Sequence, residues 1–267
     1  MALTGIGLAG CGRMGAPMLA ALRHHGFDAT GFDIKPLADP QTGITTNPET
    51  FARGLTTLIT VVRDIDETEQ VLFRDQGFVK RAPNLNTVII CSTVSPNYIT
   101  DLAARLPSQI TLVDAPMSGA TVAAQNRQLS FMLGGADAVL DHLQPLFAAM
   151  GSSFHRMGPL GSGMSAKVLN NLLAASNTVM TRLVLDWAQA RGLNEQALLA
   201  LIAASSGQNW FASAFQSIEF ARDGYAPDNT IGILKKDVQS SLDAAPEGAD
   251  GRLPQLLIEL IGTLRPK

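Results

Sequence analysis

The predicted secondary-structure pattern changes at a short glycine-containing stretch, which reads Gly161-Ser162-Gly163-Met164-Ser165-Ala166-Lys167-Val168-Leu169-Asn170-Asn171. Before it, short apolar runs alternate with helical patterns, and after it the pattern is almost entirely helical. Strands that alternate with helices are typical of a parallel α/β sheet. The sequence therefore predicts a doubly wound α/β domain over residues 1–160 and an all-helical domain over residues 161–267.

The same stretch carries a lysine and an asparagine four positions apart, Lys167 and Asn171. In a helix these two side chains lie on one face. The lysine can donate a proton, and the asparagine can hold a substrate oxygen. The alternative interpretation is a glycine turn before a helix with a solvated lysine, because lysine is rarely buried. Taken alone, the stretch favours this alternative.

Composition excludes several classes of function. The 267 residues are 46% hydrophobic and 16% charged, and a net charge of −3 in scattered positions predicts no nucleic-acid or membrane partner. Two cysteines give no disulfide framework and fit a reducing, cytoplasmic location, while the four histidines lack metal-ligand spacing. The apolar N-terminus lacks the basic region of a signal peptide, and no apolar run is long enough to span a bilayer.

The first 33 residues have the pattern of a dinucleotide-binding unit. A strand, Leu3–Ala9, is followed by the turn Gly10-Cys11-Gly12-Arg13-Met14-Gly15, a helix, and a second strand that ends before Asp33. Gly10 permits the tight turn, Gly12 permits close approach of a pyrophosphate, and Gly15 permits close packing of helix against strand. The helix N-terminus would then present N–H groups to the phosphates.

Asp33 predicts the cofactor. It lies 23 positions after Gly10, close to the spacing of about 20 expected of an acid that binds the adenosine ribose. A carboxylate there repels a 2′-phosphate, which favours NAD over NADP. Lys35 could still pair with a 2′-phosphate, so NADP stays open.

Further strands are predicted at residues 57–62, 87–91, 110–113, 129–133 and 153–157. Ligands bind at the carboxyl ends of the strands of a parallel sheet. The strand ends at Val62-Arg63, Ser92-Thr93 and Ser118-Gly119 are therefore expected to face the crevice of the glycine turn. Turn or capping chemistry is the alternative use of Thr93 and Ser118.

The second half predicts one long helix over residues 162–191, roughly 40 Å at ~1.5 Å per residue. Apolar residues lie on two sides of it, which predicts burial among other helices and against a partner subunit. Shorter helices are predicted at residues 194–206, 210–222, 230–245 and 254–264. In the helix at 230–245, Lys236 lies opposite the apolar stripe, and spacing alone predicts a solvated charge.

Four stretches together resemble the β-hydroxyacid dehydrogenase family, which includes 3-hydroxyisobutyrate dehydrogenase and tartronate semialdehyde reductase. The stretches are Gly7–Gly15, Asp114–Gly119, Gly161–Asn171 and Lys236-Asp237. The resemblance extends over nearly the whole chain. It implies a Rossmann-type domain, a helical domain built around one long helix, and an active site between them. The implied reaction is hydride transfer between a small β-hydroxyacid and NAD or NADP, with the semialdehyde as product.

Roles for individual residues follow from this resemblance. Lys167 matches the family's general acid/base, and Asn171 matches an asparagine that positions the substrate. Ser118 and Gly119 match the loop that binds the substrate carboxylate. Thr93 matches a residue beside the nicotinamide, and Lys236 matches a lysine that reaches the cofactor. The resemblance also implies a homodimer or homotetramer.

The chain departs from the family pattern at several positions. Ala120 replaces a usual glycine, Gln125 and Arg127 are unusually polar, and Val61-Val62-Arg63 replaces a different turn. The chain ends soon after Leu264, so we expect one wall of the helical domain to differ. Two alternatives remain: an NAD-binding sensor or assembly subunit without activity, and an imine reductase-type enzyme on the same fold. Lys167 argues against the imine reductases, which generally lack a lysine there.

Overall fold

The computed structural model describes residues 3–36 and 43–267. The chain forms two compact units, Met1–Lys167 and Val168–Lys267. The first is an α/β unit and the second is helical.

In the first unit, the strands are β1 (Ile6–Ala9), β2 (Ala29–Phe32), β3 (Ile44–Thr45), β4 (Thr57–Thr60), β5 (Thr87–Ile90), β6 (Thr111–Asp114), β7 (Met117–Ser118), β8 (Leu129–Gly134) and β9 (Gly151–Gly158). The helices are α1 (Gly15–His24), α2 (Pro48–Ala52), α3 (Ile65–Leu72), α4 (Phe78–Arg81), α5 (Pro96–Arg105), α6 (Ala120–Gln125) and α7 (Asp137–Met150). The long helix α8 (Ser162–Ala190) begins in this unit and continues into the second.

The strands form one sheet in the order β3-β2-β1-β4-β5-β6-β8-β7, and β9 pairs with β8. Strands β1 to β6 run parallel, with Ala9 opposite Phe32 and Thr60 opposite Ile90. Strand β8 is antiparallel to β6 and β7. The carboxyl ends of β1, β2, β4, β5 and β6 therefore lie along one edge of the sheet.

Successive residues of the central strands pack on opposite faces of the sheet, as the period of two requires. Leu8 and Ile89 belong to a buried cluster with α1 and α7, whereas Ala9 and Ile90 belong to a cluster with α3 and α5. Both faces are covered, so these strands contain continuous apolar runs. The Rossmann-type prediction is confirmed.

The second unit contains the rest of α8 with α9 (Glu195–Ala203), α10 (Trp210–Ser213), α11 (Thr230–Asp243) and α12 (Arg252–Gly262). One apolar cluster joins Ala175 and Val179 of α8 to Val238 of α11 and Ile261 of α12. A second cluster surrounds Phe211 and Phe215. The all-helical prediction is confirmed, and α8 matches the predicted long helix within one residue.

The structure differs from the sequence-based prediction in one helix of the helical unit and in several short elements of the α/β unit. The helix predicted at residues 210–222 ends at Ser213, and the chain continues in separate turns, in which the N–H groups of Ser217 and Ala221 donate to the carbonyl groups three positions earlier. The sequence also gave no prediction of the short elements β3, β7, α2, α4 and α6. The predicted burial of α8 on two sides involves a partner subunit, and in the single chain several of its large apolar side chains are exposed: Leu169, Leu173, Met180, Leu183 and Trp187.

Candidate functional site

The glycine turn after β1 has the stereochemistry expected of it. Gly10 has a φ of 94°, and a Cβ added there would lie 2.5 Å from the carbonyl oxygen of Val61. A Cβ on Gly15 would lie 1.9 Å from the carbonyl oxygen of Gly10. Neither position accepts a side chain, so the turn and the close start of α1 both depend on glycine.

The middle of the turn is open. A Cβ added to Gly12 would meet nothing within 4 Å, and Met14, the residue that precedes α1, makes no capping hydrogen bond with its side chain. The N-terminus of a helix with open space before it fits the pyrophosphate of a dinucleotide. Arg13 is exposed, and Met14 is half-buried.

Cys11 contributes to this turn through its backbone only. Its side chain is fully buried, and Sγ lies 3.5 Å from the carbonyl oxygen of Leu8, to which it donates. Burial raises the pKa of the thiol to about 12. The thiol is therefore protonated at neutral pH and faces the core.

Asp33 lies beside the glycine turn. The N–H of Gly10 donates to the carbonyl oxygen of Phe32 at 2.9 Å, which joins the turn to the end of β2. Oδ1 of Asp33 accepts a hydrogen bond of 3.0 Å from the backbone N–H of Lys35. This orients the carboxylate one residue past the strand, where the sequence predicts an acid for the ribose.

The other predicted residues follow strands of the same sheet. Ser92 Oγ accepts a 2.9 Å hydrogen bond from the N–H of Val62, so it joins the ends of β4 and β5. Thr93 is half-buried after β5, and Ser118 is half-buried in β7 opposite Ser130. Gly119 is exposed with a φ of 133°.

Asp114 is a residue whose role the sequence analysis missed. It ends β6, its side chain is fully buried, and it accepts hydrogen bonds from the N–H groups of Gly161 at 2.8 Å and Met164 at 2.6 Å. Burial raises the pKa of this carboxyl, and the backbone N–H groups oppose that rise. The carboxylate thus holds the first turn of α8, where the helix dipole favours a negative charge. A lone acid at the end of an apolar strand was the available signal.

Lys167 is the sixth residue of α8 and is only 8% exposed. The interpretation of a solvated lysine is therefore wrong. The turn that precedes it is held by Asp114 and by the N–H of Val94, which donates to Met164 Sδ at 3.4 Å. Asn171 follows one turn later on the same helix and is also 8% exposed.

Asn171 belongs to a polar group within the helical unit. Its Nδ2 donates to Oδ2 of Asp237 at 2.6 Å, and Lys236 Nζ lies 3.1 Å from Oδ1 of Asp237. The Lys236 side chain is 30% exposed and that of Asp237 is 3% exposed. The expectation of a solvated charge cluster is wrong, because α11 turns Asp237 into the core beside Val238. The sequence signal for this burial was the position of Asp237, which lies three residues after Leu234 and therefore on the apolar side of the helix.

Two of the departures from the family pattern have unusual backbone angles. Ala120, which replaces a glycine, has a φ of 53°, and Arg127 has a φ of 58°. The left-handed region costs a residue with a Cβ about 1–2 kcal/mol. Ala120 therefore keeps the backbone shape of a glycine at the start of α6. Gln125 is exposed at the end of α6.

Across residues 3–36 and 43–267, no three His, Cys, Asp or Glu side chains are grouped to hold a metal ion. Within the same residues, no helix combines the length and apolarity that crossing a membrane requires.

Residues 5–158 match the family model of the NAD binding domain of 6-phosphogluconate dehydrogenase. Residues 161–257 match the model described as NAD-binding of NADP-dependent 3-hydroxyisobutyrate dehydrogenase.

The chain is also similar to individual dehydrogenases. It is 27% identical over 254 residues to the mitochondrial 3-hydroxyisobutyrate dehydrogenase of Rattus norvegicus, with 91% of this chain and 76% of that one covered. It is 28% identical over 263 residues to the NAD-dependent L-serine dehydrogenase of Pseudomonas aeruginosa, covering 91% and 88%. The crystal structure of a 3-hydroxyisobutyrate dehydrogenase from Salmonella typhimurium superimposes with a TM-score of 0.83 at 21% identity, covering 97% and 93%.

Proposed function

The chain belongs to the β-hydroxyacid dehydrogenase family, and we propose that it interconverts a small β-hydroxyacid and its semialdehyde with a nicotinamide cofactor. One observation carries this proposal: α8 bears a buried lysine in a turn held by Asp114, and a buried asparagine follows four residues later. A solvated surface helix would not bury these two polar side chains.

The proposed acid/base is Lys167. The nicotinamide ring, when bound, accepts or supplies the hydride. During oxidation, Lys167 Nζ takes the proton of the substrate hydroxyl, and during reduction it returns a proton to the carbonyl oxygen. Its burial keeps this proton exchange away from bulk water.

Substrate binding is proposed for Asn171, Ser118 and Gly119. The NH₂ group of Asn171 donates to Asp237, and its carbonyl oxygen accepts a 3.2 Å hydrogen bond from Asn170 Nδ2. That oxygen has a second lone pair, which we propose accepts a hydrogen bond from a substrate hydroxyl. Ser118 offers a hydroxyl, and Gly119 offers backbone N–H without a side chain. Hydroxyl and N–H donors suit a substrate carboxylate.

For the cofactor we propose the turn Gly10–Gly15, Asp33, Thr93 and Lys236, with a preference for NAD. Support comes from the open position at Gly12 and from Asp33, whose carboxylate would repel a 2′-phosphate. We expect kcat/KM to be higher with NAD than with NADP. Asp33→Ser should lower the ratio of kcat/KM with NAD to kcat/KM with NADP at least tenfold, because it removes the repulsion between the carboxylate and the 2′-phosphate.

A turnover screen tests the activity. The purified chain is assayed with NAD and NADP against 3-hydroxyisobutyrate, L-serine, L-threonate and glycerate. Lys167→Met should lower kcat by roughly 10²–10⁴, the usual contribution of a general acid/base. The exposed Lys80 provides the matched control Lys80→Met, which should retain wild-type kcat. Binding of NAD without turnover of any acid would favour the sensor alternative instead.

We further propose that the chain forms a homodimer or homotetramer through the exposed stripe of α8. Leu169, Leu173, Met180 and Trp187 recur at intervals of four and seven positions along one side of the helix. Such a stripe is self-complementary in a twofold helix pair. Light scattering should give a multiple of the chain mass, and Trp187→Glu with Leu173→Glu should give the monomer mass.

A cytoplasmic location is also proposed, on the basis of the two cysteines. Cys11 and Cys91 are both free and buried, which fits a reducing compartment. Fractionation of the producing cells tests this location, with recovery outside the cytoplasm as the contrary result.

A further inference from the structure

We propose that Asp237 is a positioning residue that sets the orientation of the Asn171 amide and couples it to Lys236. This rests on the proposed function of Asn171 in binding substrate. A carboxylate only accepts hydrogen bonds, so the 2.6 Å contact from Oδ2 requires that the NH₂ group of Asn171 face Asp237. The carbonyl oxygen Oδ1 of Asn171 then faces the opposite way, where it accepts a longer, neutral hydrogen bond of 3.2 Å from Asn170 Nδ2.

The other carboxylate oxygen of Asp237 contacts a different group. Oδ1 is buried and accepts no hydrogen bond from the described part of the chain, while Lys236 Nζ stands 3.1 Å away. Lys236 and Asp237 therefore form an ion pair, and the angles at the two atoms are not those of a hydrogen bond. The two oxygens of the carboxylate thus serve two different groups: one holds the amide, and the other holds the ammonium.

Residue 237 must be a carboxylate in order to hold both groups. An asparagine at position 237 would have the same shape but only one acceptor oxygen. Hydrogen bonds to a charged group are stronger than those between neutral groups, so that oxygen would turn to the Lys236 ammonium. The NH₂ group of residue 237 would then face the NH₂ group of Asn171. The Asn171 amide would lose its charged acceptor and would keep the neutral contact with Asn170, which holds it less firmly.

The effect of replacing Asp237 should therefore depend on the presence of Lys236. In Asp237→Asn, Asn171 loses its acceptor. In the double variant Lys236→Met with Asp237→Asn, the ammonium is gone, and the single oxygen is available to Asn171 again. A merely structural role of Asp237 predicts no such rescue, because the second substitution would add its own damage.

The direct test follows the Asn171 side-chain amide of the ¹⁵N-labelled full chain by NMR, with its signals assigned from the Asn171→Asp variant. In the wild-type chain, its hydrogen exchange should be at least tenfold slower than that of the exposed Asn126. Asp237→Asn should remove this protection, and the double variant should restore it to within threefold of wild type. The exposed Asp228 provides the control Asp228→Asn, which loses the same charge and should change nothing.

Kinetics provide a second readout at saturating NAD, with 3-hydroxyisobutyrate and L-serine as substrates. Asp237→Asn should raise the KM for the acid at least tenfold with a smaller change in kcat. Because Lys236 is itself proposed to bind the cofactor, the reference for the double variant is Lys236→Met alone, and the KM of the double variant for the acid should lie within threefold of that reference. An unprotected Asn171 amide in the wild-type chain overturns the proposal, even if Asp237→Asn does not fold. The same holds if the double variant shows no recovery. If the wild-type chain turns over neither acid, the proposed function fails on these substrates, while the exchange experiment still decides the role of Asp237.

Discussion

Replacement of Asp114 by asparagine should destabilise the α/β unit strongly. The two carboxylate oxygens of Asp114 accept N–H groups of Gly161 and Met164 at 2.8 and 2.6 Å, with no exposure to solvent. Asparagine keeps the shape but offers one acceptor, and its NH₂ group would face a backbone N–H. The variant therefore loses one charge-assisted hydrogen bond and leaves one buried donor without an acceptor.

The magnitude follows from these two losses. A hydrogen bond to a charged group is worth about 1.5–3 kcal/mol, and a buried donor without a partner costs about 1–3 kcal/mol. Removal of a buried charge offsets part of this loss, since burial raises the pKa of Asp114. We expect the free energy of unfolding to fall by about 2–4 kcal/mol. At about 2–4 °C per kcal/mol, Tm should fall by roughly 5–15 °C.

Urea and thermal unfolding at pH 7, followed by circular dichroism, measure this change. Asp75→Asn is the matched control, because it removes the same charge at an exposed position and should stay within about 0.5 kcal/mol of wild type. A loss in Asp114→Asn no larger than that of the control would refute the argument that the carboxylate holds α8.

The pH dependence gives a further check on the same variant. The pKa of Asp114 is raised in the folded chain, so the folded state binds this proton more tightly than the unfolded state. Its contribution to the free energy of unfolding is present in full below the ordinary aspartate pKa and is lost as pH rises through the raised one. The difference in stability between wild type and Asp114→Asn should therefore increase as the pH is lowered from 7.

Three further substitutions have defined outcomes. Arg105 lowers the pKa of Glu69 through a side-chain hydrogen bond, against the effect of burial. The stabilisation that this pair contributes is therefore present above the ordinary glutamate pKa and is lost as pH falls through the lowered pKa. In urea unfolding from pH 7 to pH 3, Glu69→Gln should lose less stability than wild type. Ala120→Gly relieves a φ of 53° and should be neutral or stabilising by up to about 1 kcal/mol, whereas Ala123→Gly within α6 should destabilise by about 1 kcal/mol. Arg182 donates to the carbonyl groups of Ala221, Asp223 and Arg265, so Arg182→Met should lower the free energy of unfolding by at least about 2 kcal/mol, and an unchanged urea midpoint would contradict this.

The sequence by itself determined the parts of this protein that depend on near neighbours in the chain. Apolar runs of four residues gave the central strands, and the uninterrupted helical pattern gave α8. The glycine turn was predictable because local stereochemistry requires glycine at positions 10 and 15. A side chain at either position would clash with atoms of the β1–turn–α1 segment itself or of the end of the adjacent strand β4. Asp33 was predictable because its distance along the chain is set by one helix and one strand.

The tertiary structure alone decided which polar side chains are buried and what they contact. Asp114 meets Gly161 across 47 positions, and Asn171 meets Asp237 across 66. Periodicity assigns each residue to a face of its own helix, but it does not say what covers that face. For this reason the sequence predicted a solvated Lys236 and favoured a solvated Lys167, and the packing of distant segments brought both into partly or fully buried positions.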